Sequence, residues 1–79
     1  MKELRERLRI ARVVLRELSR QNLSRSGLTR RAIQRGAGYA SFNSIFSYLI
    51  SEGYVEKSGI EQRAPYRITE RGIKLLEAV

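Results

Sequence analysis

Three stretches with helical spacing of apolar residues, a change to strand-like alternation after Gly53 and a last short helical stretch predict an α+β fold that is mostly helix. The first stretch is the clearest. Leu4, Leu8, Ala11, Leu15 and Leu18 recur at alternating spacings of four and three residues, so a helix over about Lys2–Gln21 turns one stripe toward a core. Ile10, Val13 and Val14 widen that stripe. Gln21-Asn22 and Ser24-Arg25-Ser26-Gly27 read as a loop. Thr29 is the expected N-cap of a second, short helix over Arg30–Arg35, which Gly36 ends and from which Leu28, Ala32 and Ile33 face inward.

A third helix, residues 39–52, begins near Gly38-Tyr39 and stops at Gly53. Phe42, Ile45, Phe46 and Leu49 fall at i, i+3, i+4 and i+7 and form its inner face, while Ala40, Asn43, Ser44, Ser47, Tyr48 and Ser51 collect on the other. Two short helices separated by Gly36-Ala37-Gly38 match a helix-turn-helix. Tyr54-Val55-Glu56-Lys57 and Tyr66-Arg67-Ile68 then read as a β-hairpin with a polar tip, Pro65 standing where no ladder N–H is needed. Ser26–Leu28 is the expected third strand beside it. Thr69 caps a last helix, Glu70–Val79, expected to bury Ile73, Leu76 and Val79. The order of three helices, β-hairpin wing and short C-terminal helix is that of a winged helix-turn-helix, expected to occupy residues 1–79 as a single domain.

Composition narrows the function. The chain has no Cys, His or Asp, which removes zinc fingers, thiol nucleophiles and imidazole acid–base chemistry together. With only Glu, Ser, Tyr, Lys and Arg left, no motif assembles a catalytic constellation, so the expectation is a protein without enzymatic activity, cofactor, metal or small-molecule substrate. No apolar run approaches the ~20 residues of a membrane span, and the charged N-terminus does not resemble a signal peptide, which points to the cytoplasm or nucleoid. A core this small is thin, and without disulfide or metal the expected supplement is a homodimer. The candidate dimer surfaces are Ile10, Val13 and Val14 on the first helix, and the last helix with Leu75.

The net charge is +8, and 13 of the 16 basic residues are Arg. Arg forks match phosphate geometry, so this excess favours nucleic acid as partner. Its distribution is uneven: residues 1–35 carry 11 basic and three acidic side chains, whereas residues 36–79 carry five of each.

Three segments in this order, Leu28-Thr29-Arg30, Ser47-Tyr48-Leu49-Ile50-Ser51-Glu52-Gly53-Tyr54-Val55 and Tyr66-Arg67-Ile68-Thr69-Glu70-Arg71-Gly72, resemble the archaeal winged-helix DNA-binding regulators over nearly the whole chain. The resemblance implies a third helix lying in the major groove and a hairpin wing touching the adjacent backbone.

The residues support such an interface on their own chemistry. On the third helix, Tyr39, Ala40, Ser41, Asn43, Ser44, Ser47 and Tyr48 are candidate base readers: Asn pairs with adenine through two hydrogen bonds, Ser donates or accepts, and Ala meets a thymine methyl. A merely solvated face would more usually carry Glu, Lys or Gln. This face has no Arg or Lys, so either bases are read through Asn, Ser and bridging water, or specificity is modest. Arg25, Arg30, Arg31 and Arg35 are candidate phosphate binders around the second helix, with no acidic residue near them in sequence, and Lys57, Arg63 and Arg67 are candidates on the hairpin. Glu56 and Glu61 offer the hairpin cations local partners instead.

A further basic stripe, Arg5, Arg9, Arg12, Arg16 and Arg20, covers roughly 80° of the first helix at ~100° per residue. Glu6 and Glu17 lie three residues from Arg9 and Arg20, and the middle of the stripe has no local partner. It serves as a second phosphate contact, a site for another strand or an acidic partner, or is a solvated face. For the whole chain the leading expectation is a double-stranded-DNA-binding transcriptional regulator acting as a homodimer. The alternatives are an architectural, chromatin-like DNA-binding protein and a winged-helix module for protein–protein contact.

Overall fold

The computed structural model describes residues 2–79. Its elements run α1 Lys2–Arg20, α2 Arg25–Gln34, α3 Tyr39–Ser51, β1 Val55–Lys57, β2 Tyr66–Ile68 and α4 Glu70–Ala78. This is the winged helix-turn-helix anticipated from the order of patterns.

Both short helices stop the same way. Gly36 and Gly53 take the left-handed backbone (φ 92° and 79°) just past the caps Arg35 and Glu52. The N–H of the next residue then reaches back into the helix, Ala37 to the Ala32 carbonyl at 3.0 Å and Tyr54 to the Leu49 carbonyl at 2.9 Å. These paired closures satisfy orphan carbonyls and turn the chain sharply, which is why α2 and α3 are joined by so few residues.

The start of α2 differs from expectation. The helix begins at Arg25, four residues before the predicted cap Thr29, because the Ser24 hydroxyl accepts the Gly27 N–H at 3.1 Å. Thr29 lies inside the helix and donates its hydroxyl to the Arg25 carbonyl at 2.8 Å. The Ser- and Gly-rich stretch that reads as loop by composition is thus a capped first turn. Ser26–Leu28 is therefore not a strand. The third position of the sheet is a one-residue bridge at Leu23, whose N–H and carbonyl exchange hydrogen bonds with Tyr66 at 3.2 and 2.7 Å. β1 and β2 pair antiparallel, with Val55 opposite Ile68, Glu56 opposite Arg67 and Lys57 opposite Tyr66.

α1 is the central post, touching α2, α3, α4 and β2. The core joins Ile10, Val14, Leu15 and Leu18 of α1 to Leu28 and Ala32 of α2, Phe42, Ile45, Phe46 and Leu49 of α3, and Val55. The expected α1 stripe is correct in its second half only. Of two overlapping apolar faces, packing buries the one centred on Ile10, Val14 and Leu18 and leaves Leu4 and Leu8 exposed. Ile33, Ile73 and Val79 are also exposed, against expectation, because α2 and α4 turn Ala32, Leu75 and Leu76 inward.

α4 is held at its start. The Thr69 hydroxyl accepts the Gly72 N–H at 3.1 Å, as expected of the cap, and donates to the Gly53 carbonyl at 2.7 Å. This ties the end of α3 to the start of α4.

Candidate nucleic-acid interface

The outward face of α3 is fixed from beneath. Phe42 and Phe46 stack with centroids 5.4 Å apart, and Phe46 meets Tyr66 of β2 edge-on at 4.9 Å. Helix and wing therefore form one unit through a single buried ring. Above it, Tyr39, Ala40, Ser41, Ser44, Ser47 and Tyr48 are exposed and Asn43 is half-buried.

Five of these seven residues fall into three neighbourhoods. Tyr39 shares a shallow depression with Arg25, Ser26, Thr29 and Arg30. Ala40, Ser41 and Ser44 look toward Glu6 and Arg7 of α1. Tyr48 lies in an apolar groove with Leu4, Leu8 and Leu75, beside the Tyr54 ring at 6.4 Å.

The cations divide as well. Arg25 lies 5.0 Å above the Phe46 ring and donates from Nη2 to Asn43 Oδ1 at 3.0 Å. A face with no cation of its own thus receives one from α2. The contact engages the Asn43 amide oxygen, so the amide group still has its NH2 donor to offer. Arg63, on the hairpin tip, borders the same cleft as Ser24, Arg25 and Ser26. Arg30 is exposed and has no carboxylate partner among the described residues. Arg25, Arg30 and Arg63 so flank the α3 face on the α2 and wing side.

Arg31 and Arg35 point the other way. Glu17, buried against α2 and 5% exposed, lies 3.3 Å from Arg31 Nη1 and 3.5 Å from Arg35 Nη2. The expectation that nothing balances the α2 arginines is corrected by this tertiary contact, and Glu17 does not pair with Arg20. A signal was present: Glu17 shares the side of α1 occupied by Ile10 and Val14, so an acid there needs a partner from the neighbouring helix. On the hairpin, Arg67 is paired with Glu56, while Lys57 donates to the Gln62 carbonyl at 3.0 Å and lies 6.0 Å from the Tyr66 ring centroid. Arg71, which sequence reasoning left aside, covers the Tyr54 ring at 4.9 Å.

On α1, Arg9 binds Glu6 at 2.7 Å and donates to the Arg35 carbonyl at 2.9 Å. The guanidinium hydrogen bond holds the Glu6 carboxyl below its ordinary range, and the same bond raises the Arg9 pKa. Arg12, Arg16 and Arg20 remain exposed. Ile10 and Val14, named as dimer candidates, are core residues and cannot meet a second copy. Among the described residues no cluster of acidic side chains could hold a metal ion, and no helix is long and apolar enough to cross a membrane.

No protein-family model matches the chain, and no curated protein matches it. Among solved structures its fold is similar to that of SSV1 F-93, with a TM-score of 0.69 and 18% identity over 87% of this chain and 78% of that one. At that identity the likeness concerns fold, and with the helix order and hairpin above it makes the chain a winged helix-turn-helix.

Proposed function

We propose that the chain binds double-stranded DNA, laying α3 in the major groove and gripping phosphates with Arg25, Arg30 and Arg63. The observation that carries this reading is the joining of an uncharged reading face to cations from two other elements, centred on the Arg25–Asn43 contact at 3.0 Å. Asn43 presents its amide donor to base edges, Ser47 adds a hydroxyl, and Arg25 stands where it can reach a guanine edge or a phosphate. Arg31 and Arg35 take second place, since each spends part of its charge on Glu17.

The regulator reading rests on the archaeal winged-helix motifs and on side chains able to discriminate bases. In that reading the protein works in the cytoplasm or nucleoid as a homodimer, paired through the groove where Leu4, Leu8 and Tyr48 are exposed together.

Binding to duplexes of varied sequence tests it. Arg30→Ala is expected to weaken binding to every sequence alike and to lower the salt slope by about 0.9, one phosphate contact. Asn43→Ala is expected to change the ranking of sequences, with about 0.5–1.5 kcal/mol of discrimination lost at one position, one hydrogen bond. Equal affinity for all sequences in wild type and in Asn43→Ala would leave an architectural protein. Absence of salt-dependent duplex binding would leave a protein-contact module.

A further inference from the structure

The strongest charge that the α3 interface does not use lies on the outward side of α1. Arg12, Arg16 and Arg20 are exposed there, and no carboxylate pairs with them among the described residues. The nearby acids are engaged elsewhere: Glu6 with Arg9, and Glu17 beneath Arg31 and Arg35. Between α1 and the end of α2 the surface forms a cleft walled by Arg9, Arg12, Arg16 and Arg35 over Val13 and Glu17. Four arginines therefore share one cleft with Glu17, and Arg20 continues the row along α1.

This row faces away from α3. The clefts between α1 and α3 are lined from α1 by Arg7, Ile10 and Ala11, among others. At ~100° per residue, Arg16 is about 180° around the helix from Arg7 and about 140° from Ala11. A duplex lying against α3 is thus on the far side of a molecule whose shorter dimensions are 24 and 21 Å.

We propose that this face of α1 is a second site for the phosphate backbone of double-stranded DNA, so that one molecule ties two duplex segments together. Arg12 to Arg20 spans eight residues, roughly 12 Å of helix, over which one strand advances by about three to four phosphates along the duplex axis at ~3.4 Å of axis each. A row of guanidiniums along one exposed helix face follows a strand from outside the grooves, so the site holds backbone and reads no sequence. It goes beyond the α3 interface and can hold or fail separately from it.

The test is a sandwich capture with the full chain: one random-sequence duplex immobilised, a second, fluorescent duplex in solution at low salt. Wild type is expected to retain the second duplex, with capture falling on added salt at a log–log slope of about −2.7 for three contacts. R12E/R16E, whose altered side chains are exposed and unpaired, should melt like wild type and bind the first duplex within about twofold. It should lose capture of the second by about tenfold or more, while R12K/R16K keeps it. Equal capture by wild type and R12E/R16E overturns the proposal, as does a wild type that holds one duplex only. Parallel loss of both duplexes in R12E/R16E and in R30A/N43A also overturns it, because the two faces would then be one site. If R30A/N43A binds as wild type, the α3 reading fails, and salt-dependent binding lost in R12E/R16E but kept in R12K/R16K still supports the α1 site. Capture lost in L8E but kept in R12E/R16E assigns bridging to paired copies, and binding of polyglutamate but no duplex assigns the face to an acidic protein; either result overturns it.

Discussion

Glu17 decides what the α2 arginines are free to do. It is buried, while the side chains of Arg31 and Arg35 are 42% and 58% exposed, so the three partners are not equivalent. Removing the carboxylate leaves two guanidiniums that water can solvate, and Glu17→Ala is expected to cost about 1–2 kcal/mol. Removing both arginines strands a buried carboxylate, and Arg31→Ala/Arg35→Ala should cost about 3 kcal/mol. Thermal melting separates them, at about 4–8 °C per kcal/mol for a domain of this size. A double variant no less stable than Glu17→Ala would mean that the arginines contribute to the surface and not to the clasp. That Glu17 needs a partner was legible from its place on the buried side of α1, but which arginines supply it was not, because they lie 14 and 18 residues away. Arg25 and Asn43 are likewise 18 residues apart, so the α3 face reads as uncharged when its residues are taken alone. Its polar composition was legible, since it needs only the period of one helix.

Elements were legible where a local signal ends them. α3 lies within one residue of its predicted span because Gly53 supplies the left-handed turn, whereas α2 began early because a Ser cap in a Ser/Gly stretch resembles a loop. The junctions between elements depend on two glycines for different reasons. At Gly53 (φ 79°) a methyl group would meet nothing within 4 Å, so Gly53→Ala should cost about 1 kcal/mol of backbone strain alone. At Gly72 a Cβ would overlap the Tyr54 carbonyl and approach Ile68 Cγ1 to 2.7 Å. Gly72→Ala must therefore push α4 off the hairpin, at about 3 kcal/mol, and chemical denaturation of the two variants gives the order. The Glu6–Arg9 pair on α1 has its own signature, in pH. Glu6 titrates below its ordinary value of 4.5 because Arg9 donates to it. A carboxyl with a lowered folded-state pKa stabilises above its unfolded value, and that contribution is lost as pH falls through the folded one. Melting temperature should therefore drop below pH 4.5 by more in wild type than in Glu6→Gln, and the difference should shrink in high salt because the pair is exposed. An equal drop in both proteins would remove Glu6 from the account.

For the molecule as a whole, the thin core argues for a second copy. The chain has neither Cys nor His to cross-link it or hold a zinc ion, and among the described residues three of its exposed large apolar side chains lie together. Leu4 (55%), Leu8 (42%) and Tyr48 (48%) surround one groove, floored by Ile45 and Leu49 of the core and closed by Leu75. Covering that groove with a two-fold mate extends the core across the interface and makes folding depend on protein concentration. The melting temperature of wild type is accordingly expected to rise with concentration, and Leu8→Glu, which puts a carboxylate at the rim, should melt at one temperature throughout. The proposed pairing would join two α3 helices, so on a two-fold symmetric duplex Leu8→Glu should lose about a hundredfold in affinity while keeping the wild-type affinity for a single half-site. A wild-type melting temperature independent of concentration, with no difference between full and half-sites, would show that one copy acts alone. The contacts to DNA would then have to come entirely from the two faces of a single chain.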